Sequence, residues 1–264
     1  MRLQGIDAPE LHYRPSAALQ KKKQTEQQRK VYLEWNHEYR QYLGETATQA
    51  FADLLRQAGQ DPLPCSVLTA VDEPDEVFDV YGRFVGDIVA SVSGQEQVLN
   101  RWLLREGWAH PAFYNSMSRT EIQTLTQDAE DARKPRRGVW DHLNRFARAQ
   151  DFDWDLRYRG KGAKPDPNSD VGPVMIPKLF RCLSTWAVNR RAKMVGGTFG
   201  SYLRNKRDEC HLTTEFLKQG ASAAPSRTLD EFLELNGSFS LRPAQLVFRE
   251  KPSELVGPGG AVNW

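Results

Sequence analysis

Apolar positions at helical spacing alternate along this chain with short apolar runs, a pattern that predicts a mixed α+β protein. The clearest helix covers residues 46–58, and Gly59 follows its last apolar position as a helix stop. Its apolar stripe consists of Ala47, Ala50, Phe51, Leu54, Leu55 and Ala58. Further helices are predicted at residues 97–106, from Ser118 towards Pro135, at 178–193 and at 229–235.

The short apolar runs predict strands. Residues 65–71 and 84–90 are the strongest candidates, and residues 238–241 and 245–249 are shorter ones. The acidic run 72–76 lies between the first two candidates. A solvated turn is a better interpretation of this run than a metal site.

The chain begins with a predicted strand, residues 2–6, that leads into an acidic corner. Pro9 fixes its own φ and restricts Ala8, so the carboxylates of Asp7 and Glu10 are held close together. Carboxylate and carbonyl oxygens are the ligands that a hard divalent cation prefers. The corner is therefore a candidate metal site, and a solvated turn is the alternative.

The first strand also raises a problem of geometry. Arg2 and Asp7 are an odd number of residues apart, so regular alternation sends their side chains to opposite faces. The guanidinium of Arg2 offers a planar fork suited to a phosphate. A phosphate site that uses Arg2 together with Asp7 needs both side chains on one side of the strand. We therefore predict an irregularity at Gly5 or Ile6.

Three further motifs follow. Residues 79–87 read Asp-Val-Tyr-Gly-Arg-Phe-Val-Gly-Asp, residues 98–100 read Val-Leu-Asn, and residues 104–109 read Leu-Arg-Glu-Gly-Trp-Ala. Together with the run Arg-Leu-Gln-Gly-Ile-Asp-Ala-Pro-Glu at residues 2–10, they resemble the staphylococcal nuclease (thermonuclease-like) family in order and approximate spacing. The resemblance extends over about residues 2–140.

The resemblance implies a phosphodiesterase site. Asp7 looks like the metal-ligating aspartate, and Ala8 would give only its carbonyl to the ion. Glu10 looks like the glutamate that positions or deprotonates the attacking water. Arg2 and Arg83 look like the two arginines that bind the phosphate oxygens.

Two tyrosines complete the implied site. Tyr81 lies where the family has a substrate-side tyrosine, and Tyr114 is near another one without being in register. A metal, two arginines and a glutamate are what phosphodiester hydrolysis needs, because charge develops on the phosphate oxygens and on the leaving group. The implied cofactor is calcium, and the implied partners are DNA, RNA or both.

The resemblance also implies a fold, an OB-type five-stranded β-barrel with helices. The family's first two strands, which carry a further aspartate for calcium, precede the segment that residues 2–6 match. We therefore expect an N-terminally truncated barrel with weak or absent calcium binding. With a small C-terminal α+β domain, the whole chain is expected to be α+β.

Residues 11–43 are an insertion relative to the compact members of the family. It contains three consecutive lysines at 21–23, and aromatic residues at three- and four-residue steps predict a helix face. These aromatic residues are Tyr32, Trp35, Tyr39 and Tyr42. One interpretation is a mobile polar helix packed by its aromatic residues. The other is a basic arm that binds a nucleic-acid strand by phosphate charge and base stacking.

Composition divides the chain into a nuclease-like domain at 1–148, a linker at 149–176 and a C-terminal domain at 177–264. No acidic residue occurs between Lys178 and Arg207. Arg190 and Arg191 in this segment are candidate substrate-binding residues. A solvated basic end of a helix is the competing interpretation.

Composition adds few constraints. The net charge of the 264-residue chain is only +2, which is too small to indicate nucleic-acid binding. The three cysteines are Cys65, Cys182 and Cys210, an odd and scattered set that argues against a disulfide framework. Cys182, Cys210 and His211 lack zinc-site spacing, so we expect buried cysteines. No apolar run is long enough to span a membrane, and a cytoplasmic location is the default expectation.

The leading hypothesis is a calcium-dependent endonuclease that cleaves DNA or RNA by water attack. The alternative is an inactive nuclease-like module that binds nucleic acid or protein. A fragment that does not fold alone is the third possibility.

Overall fold

The computed structural model describes residues 1–69, 77–79, 81–142, 152–160 and 170–250. In these ranges the strands are β1 (Arg2–Leu3), β2 (Ile6–Asp7), β3 (Cys65–Leu68), β4 (Val85–Val92), β5 (Gln95–Val98), β6 (His110–Pro111), β7 (Phe113–Tyr114), β8 (Glu209–Leu212), β9 (Arg227–Thr228) and β10 (Leu246–Phe248). The α-helices are α1 (Glu26–Trp35), α2 (Gly44–Arg56), α3 (Leu99–Arg105), α4 (Arg119–Arg133), α5 (Val139–His142), α6 (Pro177–Arg191), α7 (Phe199–Lys206) and α8 (Thr213–Gln219). The α+β class is confirmed. The acidic run 72–76 lies outside the described residues, as does the whole of the glycine- and proline-rich stretch 161–169.

Strand β4 is the centre of the first sheet. It pairs antiparallel with β3 and β5 and parallel with β1. Asn100, at the start of α3, is fully buried, and its amide donates to the carbonyls of Gln4 at 2.9 Å and Gly86 at 3.3 Å. The same side chain accepts a hydrogen bond from the backbone N–H of Ile88. One amide therefore ties the first strand to the centre of the sheet.

Two further sheets, of two and four strands, lie beside the first. Strand β2 pairs with β6, which places Asp7 opposite His110. The other sheet has the order β7-β10-β8-β9, in which Phe113 lies beside Val247. A strand from the N-terminal part of the chain is thus paired directly with a strand that follows it by more than a hundred residues.

The predicted irregularity in the first strand is confirmed. Strand β1 ends at Leu3, a turn follows, and β2 begins at Ile6. Gly5 has φ 70°, which a residue with a side chain adopts only at a cost. The carbonyl of Gly5 accepts a hydrogen bond from the N–H of Ala112 at 2.9 Å. The chain therefore changes direction between Arg2 and the acidic corner.

The predicted helix face in residues 11–43 is wrong beyond Trp35. Helix α1 begins after a capping box at Thr25 and ends at Trp35. Tyr39 instead forms a bridge with Tyr13 and is fully buried, and its hydroxyl donates to the Trp35 carbonyl at 2.6 Å. Burial of the Tyr39 ring outweighs continuation of the helix.

Other predicted boundaries also differ. The helix predicted at 97–106 begins at Leu99, because Gln97 and Val98 pair with β4. The helix predicted at 229–235 is a short 3-10 turn, Leu229–Phe232. The strand predicted at 238–241 is reduced to one bridge between Phe239 and Leu233.

The largest apolar core combines side chains from the insertion with side chains from the C-terminal part. Its buried members include Tyr32, Tyr39, Phe152, Leu179, Leu183, Phe199 and Leu246. A second core lies under α3 and α4 and includes Ile6, Leu104, Phe113, Ile122 and Val247. In both cores, residues from before 143 pack on residues from after 176. No helix in the described part of the chain has the length and apolar character needed to cross a membrane.

Candidate functional site at the acidic corner

The two carboxylates of the acidic corner bind the same guanidinium group. Arg181 donates from Nη2 to Asp7 Oδ2 at 2.9 Å and from Nη1 to Glu10 Oε1. A longer contact of 3.5 Å joins Nη1 to Asp7 Oδ1. The predicted metal ligand and the predicted water-activating glutamate are thus brought together by a cation that no motif identified.

Helix α6 fixes the position of Arg181. Between Leu179 and Asn189 every residue except Arg181 is buried, so the helix is embedded in the apolar core. Pro177 occupies the first turn, where its missing N–H is tolerated. The side chain of Arg181 leaves this buried helix at the point where the acidic corner passes.

The backbone of the corner is held from the opposite side. The N–H of Glu10 donates to the Gln41 side chain at 3.1 Å, and the N–H of Gln41 donates to the Glu10 carbonyl at 2.7 Å. Gln41 is buried, and its amide also donates to the Met175 carbonyl at 2.8 Å. Gln41, from before the predicted linker, and Met175, near the end of that linker, therefore support the corner.

Burial and charge act in opposite directions here. Burial raises the pKa of Glu10 above its ordinary value, and the opposing charge of Arg181 does not fully offset this. Burial also disfavours the charged form of Arg181, but Asp7 and Glu10 outweigh it and raise its pKa. Arg181 is therefore charged at every working pH.

Arg2 lies between the corner and a tyrosine. Its guanidinium carbon is 4.4 Å from the centre of the Tyr114 ring. Burial lowers the pKa of Arg2, but the interactions with Tyr114, Asp7 and Asp79 outweigh this and raise it. Arg2 is thus within electrostatic range of Asp7 and Asp79. Tyr114, predicted on the substrate side, contacts a predicted phosphate-binding arginine.

Arg83 is held by a turn that Asp79 organises. Asp79 is buried and accepts from the N–H groups of Tyr81 at 2.9 Å and Arg83 at 3.0 Å, as well as from Arg83 Nε at 2.8 Å. Burial raises the pKa of Asp79, but the hydrogen bonds from Arg83 lead the effects that lower it below its ordinary value. The guanidinium of Arg83 remains half exposed and lies 5.4 Å from the ring of Tyr81, which is 79% exposed.

His110 lies behind the corner, paired in register with Asp7. It is fully buried, and neither ring nitrogen has a hydrogen-bond partner in the described structure. Its ring packs edge-on against Trp140 with centroids 5.9 Å apart. Burial lowers the pKa of His110 to about 4 despite the nearby charge of Asp7. His110 is therefore neutral at pH 7.

The oxygen donors of the corner do not fit a calcium ion in this arrangement. Calcium takes six to eight oxygen ligands, and the carboxylates of Asp7 and Glu10 already bind Arg181. No group of three or more His, Cys, Asp or Glu side chains arranged for a metal occurs among the described residues. An ion at this position would meet the positive charge of Arg181.

Arg190 and Arg191 lie at the far end of α6. Arg191 stacks on Trp35 at 3.5 Å and lies 5.0 Å from the ring of Trp154. Arg190 lies over Trp186 at 5.1 Å and donates to the Gly197 carbonyl. Both arginines are exposed and belong to an arginine–tryptophan surface, to which the insertion contributes Trp35.

The reactive side chains Cys182, Cys210 and His211 of the C-terminal part have structural environments. Cys182 and Cys210 are buried free thiols, and burial raises the pKa of each. His211 contacts the Pro225 carbonyl through Nδ1 at 3.0 Å. The expected buried cysteines are confirmed for these two, whereas Cys65 is exposed.

Sequence reasoning missed Arg181, Asp79 and His110 as parts of this site. Asp79 is the first residue of the motif at 79–87, but the motif assigned it no role. Arg181 stood in the basic segment, but nothing in the local pattern indicates that it reaches residues near the start of the chain. Its role depends on how the C-terminal part packs.

The comparisons with known proteins place the chain in one family. A search of the curated proteins finds no match. The family model described as "Staphylococcal nuclease homologue" matches residues 1–142, more than half of the chain. The chain therefore belongs to the family of staphylococcal nuclease homologues.

Proposed function

We propose that this protein is a nuclease that hydrolyses phosphodiester bonds of DNA, RNA or both at the acidic corner. Arg2 and Arg83 bind the phosphate oxygens, and Glu10 orients the attacking water. Asp7 and the carbonyl of Ala8 would be the protein's ligands to the metal ion. Calcium dependence, which would require Arg181 to leave the two carboxylates, and the OB-type five-stranded barrel are further parts of the proposal that rest on the family.

One observation carries this proposal, namely the chain of charge interactions that joins the predicted residues. Asp7 and Asp79 both act on Arg2, and Asp79 binds Arg83 directly at 2.6 Å. The residues that the resemblance implies are therefore electrostatic neighbours, although they are far apart in sequence. This is the arrangement that stabilises charge developing on a phosphate.

The chemistry assigned to each residue follows from its environment. Arg83 is half exposed, so its guanidinium can bind a phosphate while Asp79 keeps it oriented. A raised pKa makes Glu10 a stronger base once it is ionised. Exposed Tyr81, beside Arg83, offers a ring to the substrate.

We also propose that the arginine–tryptophan surface binds the nucleic-acid strand outside the site of cleavage. Arg191, Trp35 and Trp154 combine charge for phosphates with rings for base stacking, and Arg190 adds a second charge. This proposal favours the second interpretation of the insertion, in which residues 11–43 contribute to substrate binding.

The second candidate function is an inactive module that binds nucleic acid or protein. The observation that favours it is the occupation of both corner carboxylates by Arg181. An enzyme of this kind needs these carboxylates free for water and metal. The two candidates differ in whether the purified chain cleaves its substrate.

The test is cleavage of single-stranded and duplex DNA and RNA by the full chain, with calcium and with a chelator. Arg83→Ala is expected to lower kcat by about a hundredfold or more while KM changes little, because its charge is needed most in the transition state. Glu10→Ala is expected to abolish cleavage. Arg249→Ala is the matched control, since Arg249 pairs with Glu209 on the exposed surface.

The outcomes separate the candidates. Calcium-dependent cleavage that is lost in both site variants and kept in Arg249→Ala supports the nuclease. A folded chain that binds nucleic acid without cutting it supports the binding module. Cleavage that Arg83→Ala leaves unchanged would show that the assigned site is wrong.

A further inference from the structure

We propose that Arg181 is a built-in competitor for a divalent cation at the acidic corner, so that the C-terminal part controls whether a metal binds there. The inference deepens the proposed function and rests on it for its biological meaning. The competition itself is a property of the folded chain and is measurable without any nucleic acid.

The contacts make the two states mutually exclusive. Arg181 donates a hydrogen bond from Nη2 to Asp7 Oδ2 at 2.9 Å and another from Nη1 to Glu10 Oε1. A divalent cation bound directly by Asp7 and Glu10 needs carboxylate oxygens at about 2.3–2.6 Å, beside the guanidinium that already binds one oxygen of each. The cation would then lie against a group of like charge. Metal binding at the corner therefore requires the guanidinium to leave.

Charge explains why the corner needs a cation of some kind. The side chains of Asp7 and Glu10 are only 24% and 18% exposed, and two carboxylates this close and this buried repel each other. One guanidinium satisfies both carboxylates with a planar fork. Without Arg181, the pair keeps two negative charges that a divalent cation would balance.

The origin of Arg181 makes this a link between two parts of the chain. The family model ends at residue 142, whereas Arg181 belongs to α6. Helix α6 is embedded in the core around Leu179 and Leu183, so the guanidinium is delivered by a rigid element. A segment outside the matched region thus supplies the cation of the family's acidic corner.

The experiment is calorimetric titration of the full chain with calcium in the absence of nucleic acid. Wild type is expected to bind calcium weakly, and Arg181→Gln is expected to bind it at least about tenfold more tightly, because the competing charge is gone. Arg181→Lys keeps the charge but lacks the fork, so an increase of a few fold is expected. Circular dichroism checks that each variant is folded.

Two further variants locate the effect. Arg204→Gln removes an exposed arginine that pairs with Asp230 away from the corner, and it is expected to bind calcium like wild type. Adding Asp7→Asn to Arg181→Gln is expected to remove the gain. The competition is overturned if Arg181→Gln gains nothing, if Arg204→Gln gains as much, or if the gain survives Asp7→Asn.

A folding failure does not leave the question open. If Arg181→Gln does not fold, Arg181→Lys decides by its own expected gain of a few fold, and a calcium affinity that does not rise in that variant overturns the competition. Since no substrate is present, failure of this test is distinct from failure of the proposed function. A chain that cuts nucleic acid can fail it, and a chain that does not cut can pass it.

Discussion

Individual buried charges in this molecule are matched by arginines. Asp79, Asp128 and Asp170 are each almost fully buried, and each accepts from an arginine side chain. Asp7 and Glu10 follow the same rule with Arg181. Removing one partner from such a pair leaves a buried charge without compensation, which is why pairing is nearly obligatory. At the acidic corner two carboxylates share one arginine, as Glu45 and Asp170 share Arg40 elsewhere in the chain.

His110 is the residue whose burial has the clearest consequence for stability. Its pKa is lowered to about 4 in the folded chain, whereas an unfolded histidine has a pKa of 6.5. Between about pH 6.5 and pH 4, His110 therefore binds a proton in the unfolded state but not in the folded state. The stability that neutral His110 contributes is present above about pH 6.5 and is lost as the pH falls towards 4.

We predict that this loss amounts to about 2 kcal/mol between pH 7.5 and pH 5. Urea unfolding at both pH values measures it in wild type and in His110→Leu, which has no group to titrate. Wild type should lose more stability than the variant by this amount. Equal losses in the two proteins would mean that His110 is not buried in its neutral form.

At the scale of elements, the break at Gly5 positions Arg2 and Asp7. A Cβ atom at Gly5 would lie 2.3 Å from Leu125 Cδ1 and 3.0 Å from Met117 Cε, and the backbone has φ 70°. Gly94 has a similar φ of 76° but no atom within 4 Å of a Cβ. The two glycines therefore separate backbone strain from steric overlap.

We predict that Gly94→Ala costs about 1 kcal/mol, the cost of a left-handed conformation alone. Gly5→Ala should cost about 1–3 kcal/mol more, because Leu125 has to move in a packed core. Denaturant unfolding of both variants measures the difference. If the two substitutions cost the same, the turn at Gly5 is not packed against α4.

The sequence predicts some of these elements much better than others. Helices α2, α4 and α6 follow from their own apolar spacing, and α4 also from its Ser118 cap, which are local properties. Strands of two residues, such as β2 and β6, have no periodicity of their own and exist because a distant strand pairs with them. Tyr39 leaves the predicted helix for the same reason, since a distant core buries its ring.

The site residues also differ in whether a local sequence motif indicates them. Arg2, Asp7, Glu10 and Arg83 were assigned from short motifs that resemble a known family, and their roles remain predictions. Arg181 was not, because its role depends on the packing of a helix that begins more than a hundred residues after the corner. Whether a carboxylate pair has an internal counter-ion is a property of the tertiary structure, and a local motif does not contain it.

At the scale of the whole molecule, the central question is whether the matched region folds alone. The division into domains at 1–148 and 177–264 remains a prediction. Several contacts join the two parts, among them the pairing of β7 with β10, the side chain of Asn189 on the Ser16 carbonyl, and Arg181 on the corner. Tyr32 and Tyr39 also share their core with Leu179 and Leu246.

We predict that a fragment of residues 1–142 does not unfold cooperatively, because it leaves this core open and exposes the edge of β7. Thermal melting followed by circular dichroism compares the fragment with the full chain. If a separately produced 170–250 segment is added and folding requires both parts, a cooperative transition should return. A fragment that melts sharply at the Tm of the full chain would instead support two independent domains, and it would leave the acidic corner folded without Arg181.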